Sequence, residues 1–151
     1  MTTTYGLRPN LTWHDGTPLT AFDFVFAWQV YTSPQVGIAN VAPQNVMADV
    51  RAPDPATVVI QWRRPYPNAD VLDQMDFPPL PMHILQGAFQ QDPAGLANQP
   101  YWTREFVGAG PYRLTRWESG SFIEGAAFDG HSLGKPRIGR VRITFISDTN
   151  A

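Results

Sequence analysis

The sequence predicts an α+β fold, with β-hairpins packed around one main buried helix and short helices between them. Three observations lead there. Two pairs of strand-like runs flank turn residues, one pair around Pro53-Asp54-Pro55 and the other around Glu118-Ser119-Gly120-Ser121. A single apolar run, Ala21 to Thr32, follows a cap signal and stops before Ser33-Pro34. Finally, 15 Pro and 12 Gly beside only 16% charged residues require short elements separated by many turns.

Taken in order, Thr2 to Trp13 alternates loosely and breaks at Pro9-Asn10, which predicts a strand, a turn and a short strand. Asp15-Gly16 is a turn dipeptide, and Pro18 continues the loop. Thr20 occupies the N-cap position of the helix, where its hydroxyl can accept from a free backbone N–H. Asp23, three residues on, is the short-armed acid of a capping box and favours the positive end of the helix dipole. Phe24, Ala27, Trp28 and Tyr31 form one stripe, while Phe22, Val25 and Phe26 occupy other sides, so the helix should be buried on most faces. Residues 35–45 read as irregular. Val46 to Arg51 and Thr57 to Arg63 form the first hairpin. Asp70 to Met75 is expected to form a short helix, Pro78 to Pro81 an extended segment, Ile84 to Gln91 a second short helix, and Asn98 to Glu105 a loop. Past Gly108-Ala109-Gly110-Pro111 the composition shifts. Tyr112 to Trp117 and Phe122 to Phe128 form the second hairpin. A last strand from Gly139 to Ile146 sets Val141, Ile143 and Phe145 against Arg140, Arg142 and Thr144. The shift divides the chain into residues 1–105 and 106–151.

Several function classes are disfavoured at once. The net charge is −2 and no basic cluster exceeds Arg63-Arg64, so phosphate neutralisation of nucleic acid is not expected. With no cysteine, disulfides, zinc–thiolate sites and thiol nucleophiles are absent. No apolar run approaches the ~20 residues of a bilayer span. The opening Met1 to Tyr5 has neither the basic nor the apolar region of a signal peptide, and both ends read as cut.

Candidate chemistry is thin. His14-Asp15 could be a dyad or a ligand pair, but strand neighbours point to opposite faces, and turn chemistry accounts for both residues. His83 and His131 lie far off without ligand-spaced partners. Gly120-Ser121 lacks a nucleophile-elbow frame, and nothing in the spacing of Asp70, Asp73, Asp76 and Glu105 selects a glycosidase pair. Gly108-Ala109-Gly110 leads into a strand without the Lys-Ser/Thr ending of a phosphate loop, so it reads as a tight bend. Trp62, Tyr66, Trp102 and Trp117 serve either core packing or a ligand platform. No catalytic centre and no metal or cofactor site emerges.

Five stretches, in order, carry a resemblance. Leu11 to Phe24 (LTWHDGTPLTAFDF) is similar to the W-x-D-G-x-P-hydrophobic-T-A-x-D-hydrophobic signature of the family 5 extracellular solute-binding proteins. These are the dipeptide-, oligopeptide- and nickel-binding components of ABC importers. Ala52 to Ile60 resembles the family's PD-x-x-T-V hairpin, and Pro81 to Leu85 its P-x-H segment. Val107 to Leu114 with Trp117 to Gly120 resembles its VGTGPY…W…G strand pair, and Lys135 to Asp148 the stretch that follows. The chain departs at Phe128 to Leu133, where many members carry Asn-x-x-Tyr-Trp.

The resemblance implies part of the N-terminal lobe of a type II periplasmic-binding-protein fold, with the leader and the second lobe missing. Residues 1–105 would form its small inserted subdomain, and 106–151 incomplete strands of the lobe proper. The parent would take a peptide or other small solute without chemistry or cofactor, deliver it to an ABC permease, and sit at the periplasmic or extracellular face of the membrane. Trp13, Asp15, Gly16, Thr20, Asp23, Gly108, Gly110, Pro111, Tyr112 and Trp117 are its structural motif residues. Tyr66, Trp102 and Tyr112 are the candidates for touching ligand. An uncovered apolar surface, or self-association through it, is expected near the Tyr112–Phe145 strands. The rivals are a stand-alone aromatic-lined carbohydrate module, which requires two exposed coplanar Trp rings, and a hydrolase or metalloenzyme on His14, Asp15, His83 and His131.

Overall fold

Period-two alternation and turn chemistry produce two three-stranded antiparallel sheets in the computed structural model, which describes residues 1–37 and 41–146. The elements are β1 (Thr2–Gly6), α1 (Ala21–Thr32), β2 (Met47–Asp54), β3 (Thr57–Trp62), α2 (Met82–Gln91), β4 (Tyr112–Glu118), β5 (Phe122–Ala127) and β6 (Arg140–Thr144). They fall into two compact units. One contains Met1–Pro9 and Leu19–Gln99, the other Asn10–Pro18 and the chain from Pro100 onward.

In the larger unit, the β2–β3 hairpin turns where the Asp54 carboxylate accepts the Ala56 N–H at 2.8 Å. β1 pairs with the free side of β3, giving the order β1-β3-β2 and leaving β3 central. Val50, Val58 and Ile60 point into the core, which α1 covers with Phe26, Ala27 and Val30. The buried stripe of α1 thus centres on Asp23, Phe26, Ala27 and Val30. Of the stripe expected from sequence, Ala27 is buried, while Phe24, Trp28 and Tyr31 are half-buried. Tyr31 still donates its phenol to the Pro78 carbonyl at 3.1 Å, and burial pushes its pKa up.

Asp23 is 4% exposed and accepts from two directions. Its Oδ2 takes the Thr20 N–H at 2.8 Å and the Thr20 hydroxyl at 3.3 Å, forming the capping box of α1. Its Oδ1 takes the Met82 N–H at 3.0 Å, at the first residue of α2. Pro81, the N-cap of α2, has no side-chain oxygen to offer, so the acid of the first helix caps the second.

Three local expectations are corrected. Residues 70–75 form turns instead of a helix. The Asp73 Oδ1 takes the Met75 and Asp76 N–H groups at 2.7 and 3.2 Å, diverting donors a helix would need. The expected loop from Asn98 to Glu105 begins at the last residue of a 3-10 turn, Ala94–Asn98, and contains a second one at Pro100–Trp102. The short strand expected near Trp13 is a lone bridge between Thr12 and Pro18.

In the smaller unit, β4, β5 and β6 pair in sequence order. Gly120, at a φ of 73°, turns the hairpin as Ser121 N–H donates to Glu118 O at 3.0 Å. Leu114 pairs with Gly125 and Arg116 with Glu124, so Thr115 is an extra residue in β4. Without that bulge, Arg116 would share the face of Tyr112 and Leu114. With it, Trp117 takes that place, opposite Ile123. The other face carries Phe122, covered by the guanidinium of Arg142 at 3.6 Å and that of Arg116 at 5.2 Å from its ring centre. Among the described residues, no helix is long and apolar enough to cross a membrane.

Removing the Asp23 acceptors leaves partly buried N–H groups at the starts of two helices unmatched, so Asp23→Ala should lower stability by about 2–4 kcal/mol. Urea unfolding followed by far-UV circular dichroism measures it. Asp49→Ala, which breaks only the exposed pair with Arg51, should cost less than about 0.5 kcal/mol.

Candidate functional site

The Trp13–Pro18 turn is built by its own backbone and one carboxylate. Trp13 N–H donates to Thr17 O at 2.8 Å and Gly16 N–H to Trp13 O at 2.9 Å, while Asp15 Oδ1 accepts the Thr17 N–H at 2.9 Å. Gly16 sits at a φ of 89°, which only glycine adopts without strain. Asp15 is therefore a turn former. His14, beside it, is 5% exposed and faces the segment from Gly108 to Gly110. Its backbone N–H donates to Gly108 O at 2.8 Å, and its Nδ1 accepts the Gly108 N–H at 3.2 Å. Nδ1 must then be unprotonated, so Nε2 carries the hydrogen and donates to Gly110 O at 2.9 Å. The His14 and Phe128 rings meet in a T-shaped pair, 4.9 Å between centres. Burial holds the His14 pKa below 6.5, against the Gly110 bond, which favours the charged form.

Both imidazole nitrogens of His14 are thus occupied by backbone, leaving neither for a metal or a reacting proton. His131 Nδ1 lies 3.3 Å from Gly134 O in its own turn. Among the described residues, no group of three or more His, Asp or Glu side chains is arranged to hold a metal ion.

One surface with binding capacity lies on β4–β6. Tyr112, Leu114, Trp117, Ile123, Val141 and Ile143 share one face, and Trp102 and Phe106 complete a groove of about 380 Å³. The buried Tyr101 ring props both of the latter, at 4.8 Å from Trp102 and 5.5 Å from Phe106, and its hydroxyl donates to Val107 O at 3.2 Å. At the floor, a Cβ on Gly125 would stand 3.2 Å from Tyr112 Cβ and 3.3 Å from Val141 Cγ2, so glycine lets these neighbours close in. Glu124 is the one charged group in this lining. Such a groove can hold an apolar or aromatic surface, and it offers no reacting constellation. Ile143, 59% exposed, and Phe145 extend it as an open apolar patch, at the strands where one was expected.

Of the sequence candidates, Trp102, Tyr112 and Trp117 meet in this groove. Tyr66 belongs to the larger unit, where its ring stacks on Trp62 at 4.8 Å. Trp13 and Trp62 are buried, Trp28 and Trp117 half-buried, and Trp102 is only 36% exposed, so no exposed coplanar indole pair exists. Pro111 and Gly110 lead from the His14 contact into β4. The bond between His14 and the glycines spans 94 residues, and no spacing signals it. The groove floor, by contrast, was signalled by the alternation of β6.

All 151 residues match the family model described as "Bacterial extracellular solute-binding proteins, family 5 Middle". That description defines a class of binding proteins, not of catalysts, placed outside the cytoplasm. The chain belongs to family 5 of the bacterial extracellular solute-binding proteins. It is 28% identical over 140 residues to a Brucella ovis protein whose name assigns it to ABC transporter peptide binding, covering 92% of this chain and 26% of the relative. It is 27% identical over 149 residues to the oligopeptide-binding protein AppA of Bacillus subtilis, covering 96% and 26%. The structure of that AppA with a nonapeptide superposes at a TM-score of 0.88 and 24% identity, over 99% of this chain and 29% of that one. NikZ of Campylobacter jejuni with Ni(L-His) superposes at 0.82 and 26% identity, over 99% and 28%. The chain therefore spans about a quarter of the length of the curated relatives it matches.

An exposed apolar groove should bind the dye ANS in the native state. Ile143→Asp should reduce that fluorescence by roughly threefold or more and change stability by less than about 1 kcal/mol. Dye titration alongside urea unfolding measures both.

Proposed function

We propose that this chain is a segment of the N-terminal lobe of an ABC-importer substrate-binding protein for peptides or similar solutes. The parent captures its ligand by closing two lobes, carries out no chemistry and passes the solute to a membrane permease. In this reading, the inserted subdomain of the lobe comes from residues 1–105, apart from the stretches packed with the later strands, and 106–151 supply strands of the lobe proper. The observation that carries the reading is the likeness of nearly the whole chain to about three tenths of peptide-bound AppA, with five family motifs in their family order.

Trp102 and Tyr112, neighbours in the groove, are the residues assigned to solute contact, with Tyr66 on the larger unit. Copies of the chain alone associate weakly through the open patch around Ile143 and Phe145. Affinity for solute demands surface on both sides of the ligand, and this chain offers only part of one side. Binding by the chain alone is accordingly weak or absent.

Calorimetry of the 151-residue chain with di- and oligopeptides should give no heat that fits a Kd below about 100 μM. Micromolar binding by the chain alone would show that it carries a finished site and would overturn the segment reading.

A further inference from the structure

The buried His14 is used by neither the groove nor any proposed solute contact. The chain has three histidines, and only this one is buried. Its hydrogen bonds leave one protonation state compatible with the fold. Gly108 N–H can only donate, so the Nδ1 facing it must accept. Gly110 O can only accept, so Nε2 must carry the hydrogen. A second proton on Nδ1 would set two donors against each other at 3.2 Å and place a charge on a residue that is 5% exposed, away from water.

The charged groups around the ring come from each neighbouring element. Asp15, in the same turn, favours the imidazolium. Arg113 on β4 and His131 in the turn after β5 oppose it. The two opposing groups and burial act in the same direction.

We propose that His14 is a proton-operated latch: the neutral ring accepts the Gly108 N–H and fastens it to the Trp13–Pro18 turn, and protonation of Nδ1 breaks that bond while the bond to Gly110 O persists. The latch sits between two walls of the groove. Phe106 lies two residues before Gly108, and Tyr112 two residues after Gly110. Losing the Gly108 bond slackens the segment on the Phe106 side, while Gly110 holds the Tyr112 side, so acid loosens one wall of the apolar groove. The latch requires no bound solute, so it stands or falls apart from the proposed function, which peptide calorimetry tests.

The sign follows from linkage. The folded state holds the His14 pKa below the ordinary 6.5, so the unfolded chain takes up the proton first as pH falls. The stabilisation is complete above about 6.5 and is lost as pH drops from there through the folded-state value.

The test is an NMR titration of the full chain from about pH 8 to about pH 4.5, reading the imidazole 15N shifts and the Gly108 amide exchange rate corrected for its intrinsic pH dependence. The expected result is an Nε2–H tautomer at neutral pH and a His14 titration below 6.5. Gly108 exchange should accelerate at least ~10-fold across that titration. Thermal midpoints add a second reading. His14→Gln keeps one acceptor and one donor without titrating, so it should flatten the acid decline, while His131→Gln should retain it. Titration of His14 at or above 6.5, or Gly108 protection that does not follow it, overturns the latch. So does an unchanged acid decline in a folded His14→Gln variant. If that variant does not fold, the wild-type titration and exchange decide alone.

Discussion

Helix N-termini leave backbone N–H groups without partners inside the helix, and in the larger unit the starts of both helices turn to the Asp23 carboxylate. A carboxylate this buried is unfavourable unless donors replace its water. Thr20 supplies two and Met82 a third. The arrangement fixes more than the helix ends. Pro78 to Pro81 must run directly to the start of α1 for Met82 to reach Asp23, and Leu80 N–H faces Asp23 O at 3.5 Å along the way. The extended proline segment, the position of α2 and the entry of α1 onto the sheet thus share one anchor.

The smaller unit solves a similar closure problem without a charge. Its anchor is a neutral imidazole held between two backbone amides, with three bonds joining the Trp13–Pro18 turn to Gly108 and Gly110. The Asp23–Met82 bond closes 59 residues and the His14–Gly108 bond 94. Because closure entropy grows only with the logarithm of length, the longer loop costs about 0.4 kcal/mol more, less than one good hydrogen bond contributes. Distance along the chain therefore does not decide which anchor is stronger. Burial and donor–acceptor matching do.

What could be read from residue order alone was whatever local chemistry dictates. The capping pair Thr20 and Asp23, the extent of α1, both hairpins and the phase of β6 were legible because each depends on neighbours within a few residues. The turns at residues 70–75 were missed because Asp73 serves its own backbone, and helix periodicity does not register that competition. The buried stripe of α1 was misplaced by one step because Asp23, a charged residue, belongs to it. At the groove, Trp102, Tyr112 and Trp117 were visible as aromatics, but their convergence rests on a bulge and on the Tyr101 prop. The reach of Asp23 to α2 and of His14 to the glycines was invisible, since both are tertiary matches of single atoms.

The bulge in β4 carries one more consequence. A strand is read two residues at a time, and Thr115 is a single-residue change of phase within it. Loss of Thr115 would leave Tyr112, Leu114 and Trp117 in ordinary alternation, with the aromatic and arginine sides still separate. Loss of Arg113 would turn Tyr112 over to the side of Phe122. Length variation in this strand among descendant sequences is therefore confined by geometry to one site, and gaps should collect at Thr115 while its neighbours keep their count.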